Sequence, residues 1–256
     1  MDDAEILAIE RAAFETWPAA EVVALGGWRL RFNQGVTQRG SSVWPGPGAS
    51  ELPLGARIDA VERFYTERGA PAMFQLSPAA EPLELDAALA ARGYETTSAP
   101  VSVETLALTP LALSAAPPGV EVSCADALSE EWFELSGRQG RFRGADALVY
   151  RALLERLAGR AGFALVRVDG RPSAVGLCVL APPWAGVFSM LTREAERGRG
   201  LGEAVLVAIA RWAQNRGASR LFLQVESDNA PARKLYTRAG FVPRFAYHYR
   251  RRIEPR

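Results

Sequence analysis

Apolar residues recur at Leu201, Val205, Ala208, Ile209 and Trp212, which places them on one face of a helix beginning just after Gly200. The next segment, SRLFLQV (219–225), is apolar almost without interruption and predicts a buried strand. SDNAPARKLYTRAGF then predicts a short helix, with Asn229 to cap its start and Gly240 to end it. PRFAYHYRRR closes the chain as a strand. Upstream, VEVS (120–123) predicts a strand, and 126–137 and 145–158 predict helices. Residues 163–192 follow as strand, Asp-Gly turn, strand, turn, strand. From residue 120 onward the order is β-α-α-β-β-β-α-β-α-β, a mixed α/β sheet flanked by helices.

The first half echoes the second. ERGAPAMFQLS (67–77) lines up with NRGASRLFLQV (215–225), and LAARGYE (89–95) with YTRAGFV (236–242). GGWRLRFNQGVTQRGSSVW (26–44) predicts a hairpin turning at NQG. The near-equal spacing from RGA to the later glycine suggests duplication of one fold. The predicted organisation is a first domain at 1–108, a proline- and alanine-rich linker at 109–119, and a second domain at 120–256. The copies differ at particular places: Tyr236 aligns with Leu89 and Asn229 with Pro82. No glycine cluster precedes the first copy's helix, so one working site per chain is expected.

Composition changes this picture little; charge changes it more. Of 256 residues, 48% are apolar and 23% charged, ordinary for a globular protein. Residues 1–117 carry a net −7 and residues 118–256 a net +8, so an anionic ligand suits the second half. Lys234 stands alone against 29 arginines, a compositional bias. Cys124 and Cys178 make neither a disulfide framework nor a metal spacing, and a cytoplasmic setting is expected. MDDAEILAIERAAF is acidic and amphipathic, unlike a signal peptide. The uncharged run 172–192 is long enough to span a bilayer, but APPWAG in its middle breaks a helix, leaving two strands around a turn.

Candidate chemistry begins at EAERGRGLG (194–202). Its glycines open backbone N–H groups to close approach at the mouth of a helix, where the dipole favours an anion. A dinucleotide G-x-G-x-x-G fails because position 203 is Glu, and no G-x-x-x-x-G-K-[ST] is present. What remains is R-G-x-G-x-G from Arg197 to Gly202, with N-A-P-A-x-x-L-Y-x-x-x-G-F downstream.

These two motifs resemble those of the GNAT N-acyltransferase superfamily over roughly residues 118–250. The resemblance implies two tandem GNAT-like domains, each a mixed, mostly antiparallel sheet flanked by helices, the first a degenerate copy. It implies an N-acetyltransferase that moves an acetyl or short acyl group from acetyl-CoA to an amine by direct attack in a ternary complex, with no metal. By resemblance, backbone N–H groups of Arg197, Gly198, Arg199, Gly200, Leu201 and Gly202 hold the CoA pyrophosphate. Met190, Leu191 and Thr192 stand where family members pair a strand edge with the pantetheine amides. Asn229 matches a CoA-contacting asparagine, and Tyr236 the tyrosine that protonates the departing thiolate. The implied partner is a small-molecule or peptide amine, with no nucleic acid and no membrane; room is left for a homodimer.

The base that deprotonates the amine is where the chain departs from the pattern. Gln224 stands where some members carry Glu, and it cannot take a proton. Glu226 lies on the same face if strand alternation holds and could act through water, although a surface carboxylate at a strand end is an equal reading. His248 is the single histidine, a residue type that can serve as a base, but a lone strand histidine more often serves structure. Arg138, Arg141 and Arg143 in SGRQGRFRG could meet an acidic acceptor, the CoA 3′-phosphate or only solvent. A non-catalytic acyl-CoA-binding regulatory module stays open because the strand-five Glu is missing. Nucleic-acid binding through the basic half would call for an aromatic-interleaved basic segment, which is absent.

Overall fold

The computed structural model describes residues 2–108 and 119–253, without the side chains of 138–141. All of the expected linker except Gly119 lies outside the described residues. In the first half, helix α1 (Asp3–Thr16) is capped by Asp2, whose carboxylate accepts from the Glu5 N–H at 2.8 Å. Strands β1 (Glu21–Leu25), β2 (Trp28–Phe32) and β3 (Val43–Pro45) precede helix α2 (Leu54–Thr66) and strand β4 (Met73–Leu76). Helix α3 (Leu85–Ala91) and strands β5 (Tyr94–Thr96) and β6 (Val101–Ala107) complete it.

The second half has the predicted order. Strand β7 (Val120–Ala125) is followed by helices α4 (Glu130–Phe133) and α5 (Ala145–Glu155), then strands β8 (Ala161–Val168), β9 (Arg171–Ala181) and β10 (Trp184–Thr192). Helix α6 (Leu201–Gln214), strand β11 (Arg220–Glu226), helix α7 (Ala230–Arg238) and strand β12 (Val242–Arg252) close the chain. The uncharged run is therefore two strands joined at Pro182–Pro183, and no helix among the described residues is long and apolar enough to cross a membrane. Two local expectations differ. The helix expected over 126–137 begins at Glu130, after the Ser129 cap, and widens into a π-helical stretch at Glu134–Arg141. The NQG turn is present, with Gln34 and Gly35 at φ 52° and 75°, but the strands beside it are joined by a long connection over 33–42. A tighter hairpin at Gly26–Gly27, not foreseen, joins β1 to β2.

The internal echo has a physical counterpart. Arg68 stacks 3.7 Å from the Phe64 ring and donates to the Phe64 carbonyl, while ion-pairing with Glu21 at 2.5 Å. Arg216 stacks 4.4 Å from the Trp212 ring, donates to the Trp212 carbonyl, and ion-pairs with Asp126 at 2.7 Å. Each arginine thus closes its helix by binding the aromatic residue one turn back and a carboxylate at one end of its half's first strand, Glu21 opening β1 and Asp126 just after β7. Each helix also leads to a strand with a parallel neighbour: β4 beside β3, and β11 beside β10.

The halves are interleaved. The sheet order is β1-β2-β3-β4-β12-β6-β11-β10-β9-β8-β7, with β5 pairing β12. Strand β6, from the first half in sequence, runs antiparallel to β11 over its whole length, from Ala107 opposite Arg220 to Val101 opposite Glu226. Strand β12, from the second half, pairs β4 through His248–Arg251. Helix α1 touches β3 through Glu10 and Phe14 against Trp44, and packs on β9 and β10 of the other half, with Ile9, Ala12 and Ala13 joined to the core that holds Trp132, Tyr150 and Phe188. On the opposite face, α6 and α7 cover Leu221, Leu223 and Val225.

Because β6 supplies the neighbour of β11, residues 120–253 alone would expose a full strand edge and the apolar surface under α1. Expressed by itself, this fragment is expected to show no cooperative thermal transition by circular dichroism and to bind a hydrophobic dye. Co-expression with residues 1–108 should restore the transition. Two-state unfolding of the lone fragment would contradict that dependence.

Candidate functional site

The parallel pair β10–β11 is hydrogen-bonded from Trp184/Arg220 only as far as Val187/Leu223. Beyond that point both strands continue, β10 to Thr192 and β11 to Glu226, without pairing each other. The parting coincides with a break in the β9–β10 register between Phe188 and Leu191, where Ser189 adopts φ 51°. A left-handed serine is strained, and here a hydrogen bond holds it: the Ser189 and Tyr150 hydroxyls lie 2.7 Å apart, with the Ser136 hydroxyl 3.1 Å from Tyr150. The edge of β10 that faces β11 over 188–192 is thus left without a ladder partner.

A cavity of about 350 Å³ fills the gap. Met190, Leu191, Glu226, Asn229 and Tyr236 all line it. Thr192 and the loop from Arg197 to Gly202 do not line it; they follow at the end of β10. The loop reaches α6 through a 3-10 turn at Glu194–Glu196 and two left-handed glycines, Gly198 at φ 78° and Gly200 at φ 77°. Gly200 caps α6 with no side-chain hydrogen bond, so the first-turn N–H groups keep their donors for something outside the helix. Arg197 and Arg199 point to solvent beside Glu194 and Glu196, partners from the same loop. Leu201 is buried in the core. Gly202 serves packing: a Cβ there would stand 3.0 Å from a methyl of Leu235, so its absence lets α7 approach α6.

Asn229 caps α7 as expected, accepting from the Ala232 N–H at 3.2 Å. Tyr236 lies about two helix turns beyond, 7% exposed, its ring edge-on to Phe241 at 5.8 Å. Burial pushes its phenol up to about 12, and the Glu104 carboxyl adds to the rise. Glu104 was not foreseen. It sits on β6 opposite Leu223, 1% exposed, with one oxygen accepting from the Ser102 hydroxyl at 3.3 Å and the other without a partner. Burial raises its pKa. Its signal is a lone carboxylate inside the apolar strand VSVETLA.

The β11 register runs unbroken to Glu226, so Gln224 and Glu226 do share a face. Gln224 accepts from the Tyr247 hydroxyl at 3.3 Å. His248 lies elsewhere, its Nε2 3.1 Å from Asp86, which also pairs with Arg250. These contacts fasten β12 to α3, and the histidine does not line the cavity. Arg143 is exposed, and the side chains of Arg138 and Arg141 lie outside the described residues. Burial raises both cysteine thiols, Cys124 to about 12, which makes poor nucleophiles of them. No cluster of three metal-binding side chains occurs among the described residues.

A family profile described as "Probable histone acetyltransferase Rv0428c C-terminal" matches residues 3–252. The chain belongs to this acetyltransferase family. It is an N-acetyltransferase of the GNAT superfamily, and the match spans both halves. It is 31% identical over 250 residues to "Uncharacterized N-acetyltransferase YobR" of Bacillus subtilis, covering 98% of this chain and 99% of that one. A mycothiol acetyltransferase of Catenulispora acidiphila is 32% identical over 121 residues, 47% of this chain and 33% of the relative. Among solved structures, a GCN5-related N-acetyltransferase from Kribbella flavida superposes with TM-score 0.73 at 17% identity, covering 99% of this chain and 96% of that one. A tandem GNAT protein from the clavulanic acid biosynthesis pathway gives 0.63 at 17% identity, covering 77% and 68%. The fold of this acetyltransferase is thus the mixed-sheet, tandem GNAT arrangement.

At Gly200 a side chain would have open space but the wrong backbone region. Gly200→Ala is expected to lower stability by about 1–2 kcal/mol through left-handed strain alone. Urea unfolding should show a lower midpoint at unchanged slope.

Proposed function

We propose that this acetyltransferase takes its acetyl group from acetyl-CoA and passes it to an amine by direct attack within a ternary complex. The observation that carries this reading is the parting of β10 from β11 beside a helix mouth whose N–H groups have no side-chain cap. A diphosphate needs several aimed donors, and the backbone from Arg197 through Gly202 offers them without side-chain obstruction at Gly198 and Gly200. The free edge of β10 at Met190, Leu191 and Thr192 suits an extended chain of amides, which would pair there as a strand does. Asn229 and Tyr236, on α7 across the gap, would flank the thioester.

The roles follow from chemistry. The amine nitrogen forms the new C–N bond as the C–S bond breaks, and negative charge grows on sulfur. Tyr236, held protonated by burial, donates a hydrogen bond to that sulfur. Glu226 is the carboxylate on the cavity wall that can receive the nitrogen's proton through water. Both cysteine thiols are held protonated, in keeping with attack without a covalent enzyme intermediate. The acceptor is read as a small-molecule or peptide amine, and the two free cysteines suit a reducing, cytoplasmic setting.

Thiol release from acetyl-CoA in the presence of an amine panel tests the reading, with calorimetry of CoA binding alongside. Tyr236→Phe is expected to lower kcat by about 10²-fold while CoA still binds. An unchanged kcat would remove the phenol from the mechanism. No heat with CoA at millimolar concentration, from folded protein, would remove the coenzyme.

A further inference from the structure

The acceptor end of the cavity is built by the first half. Trp17, Thr37, Gln38 and Arg39 reach it from the end of α1 and from the long connection between β2 and β3. Trp17 is pinned there, its indole N–H donating to the Thr37 hydroxyl at 3.0 Å and its ring 4.9 Å from that of Phe188. Phe188 is the residue at which β10 has just left β11. The Arg39 guanidinium lies over both rings, 5.4 Å from the Trp17 centroid and 5.2 Å from that of Phe188. Two aromatic contacts fix the plane of the guanidinium at the cavity wall.

Among the described residues no carboxylate pairs with Arg39, and its Nε is buried with no hydrogen-bond partner. Behind it lies Arg31, fully enclosed, whose donors go to the Ser42 carbonyl and hydroxyl and to Gln75, each at 3.0 Å. Arg31 therefore adds positive potential without neutralising its neighbour. Glu10 lies on the far side of Arg31, bonded to the Trp44 indole, and burial drives its carboxyl toward the neutral form. That Nε is shut off from the cavity, and a ligand there would meet the guanidinium through its Nη groups, which make no hydrogen bond among the described residues.

Resting on the acetyl-transfer reading, we propose that Arg39 binds a carboxylate carried by the acceptor, so that the substrate is a small amine bearing a carboxylate. A guanidinium meets a carboxylate through two parallel N–H···O bonds, and one unpaired cation matches a monoanion. The aromatic walls suit an apolar stem between the two groups. The carboxylate takes no part in bond making. The nitrogen lone pair forms the amide, the C–S electrons leave on sulfur, and of the two protons the ammonium loses, one goes to Glu226 through water and the other to the thiolate. Glu226, the carboxylate that lines the cavity among the described residues, ends β11 and does not pair with Arg39. A lysine-rich acceptor would instead bring cation to cation at Arg39.

The test has two arms on the full chain saturated with CoA or acetyl-CoA. Calorimetry compares 3-phenylpropanoate with its uncharged amide as ligands of the CoA complex. Thiol release compares ω-amino carboxylates of increasing length, and phenylalanine, with the matching amines lacking the carboxylate. The carboxylates are expected to bind, and to react in kcat/KM, roughly ten- to a hundredfold better. In Arg39→Met that ratio should fall to near one, and Arg39→Lys should recover part of it; melting curves verify that both variants fold. Equal handling of charged and uncharged members, or a preference that survives Arg39→Met, overturns the proposal. If CoA binds and plain amines are acetylated without such a preference, only the acceptor assignment fails. If CoA does not bind, the acetyl-transfer reading fails first.

Discussion

Everything in the site depends on two parallel strands ceasing to be a pair. Parallel neighbours normally continue their slanted hydrogen bonds as far as both strands run, because an unpaired backbone edge inside a protein is expensive. Here β10 and β11 separate after Val187 and Leu223 while each keeps its other neighbour, β9 and β6. The irregularity at Phe188–Leu191, with left-handed Ser189 bonded to Tyr150, turns β10 away. One strand edge, one helix mouth and one aromatic-lined cavity arise together from that divergence.

The divergence is stable because the two halves hold it from both sides. Strand β6 lies along the whole of β11, and α1 packs on β9 and β10. Both come from the half that carries no glycine loop. The first half thus supplies a strand, β6, that carries Glu104 beside β11, and a wall that carries Trp17 and Arg39. The reciprocal placement of β12 against β4, fastened by Asp86 to His248 and Arg250, makes the dependence mutual.

Local features were legible in the sequence wherever one segment determined its own conformation. The second half's element order, the Asn229 cap and the two strands hidden in the uncharged run 172–192 all follow from periodicity, caps and turn residues. The duplicated arginines at 68 and 216 were visible as a repeated RGA, although their shared stacking and ion pairing was not. What could not be read was anything set by pairing across the chain. A strand's sequence records its burial, not its neighbour, so nothing in VSVETLA says that it sits beside residues 220–226. For the same reason Glu104 and Arg39 escaped notice: each gains meaning only from partners distant in sequence, or from lacking one.

The environment of Tyr236 also refines what a phenol can do there. Sequence likeness suggests a tyrosine that protonates the thiolate outright. A phenol at about 12, set against a thiol near ~8.5, opposes full proton transfer by about 3.5 pH units, roughly 5 kcal/mol at about 1.36 kcal/mol per unit. A hydrogen bond donated to the developing charge carries no such penalty, and burial strengthens it by excluding water. The same burial, with the Glu104 carboxyl adding to it, favours the protonated phenol. On this arithmetic, and resting on the proposed transfer, Tyr236 would act as a hydrogen-bond donor to the sulfur rather than as an acid that gives up its proton, and one of the two protons the ammonium loses would end on sulfur.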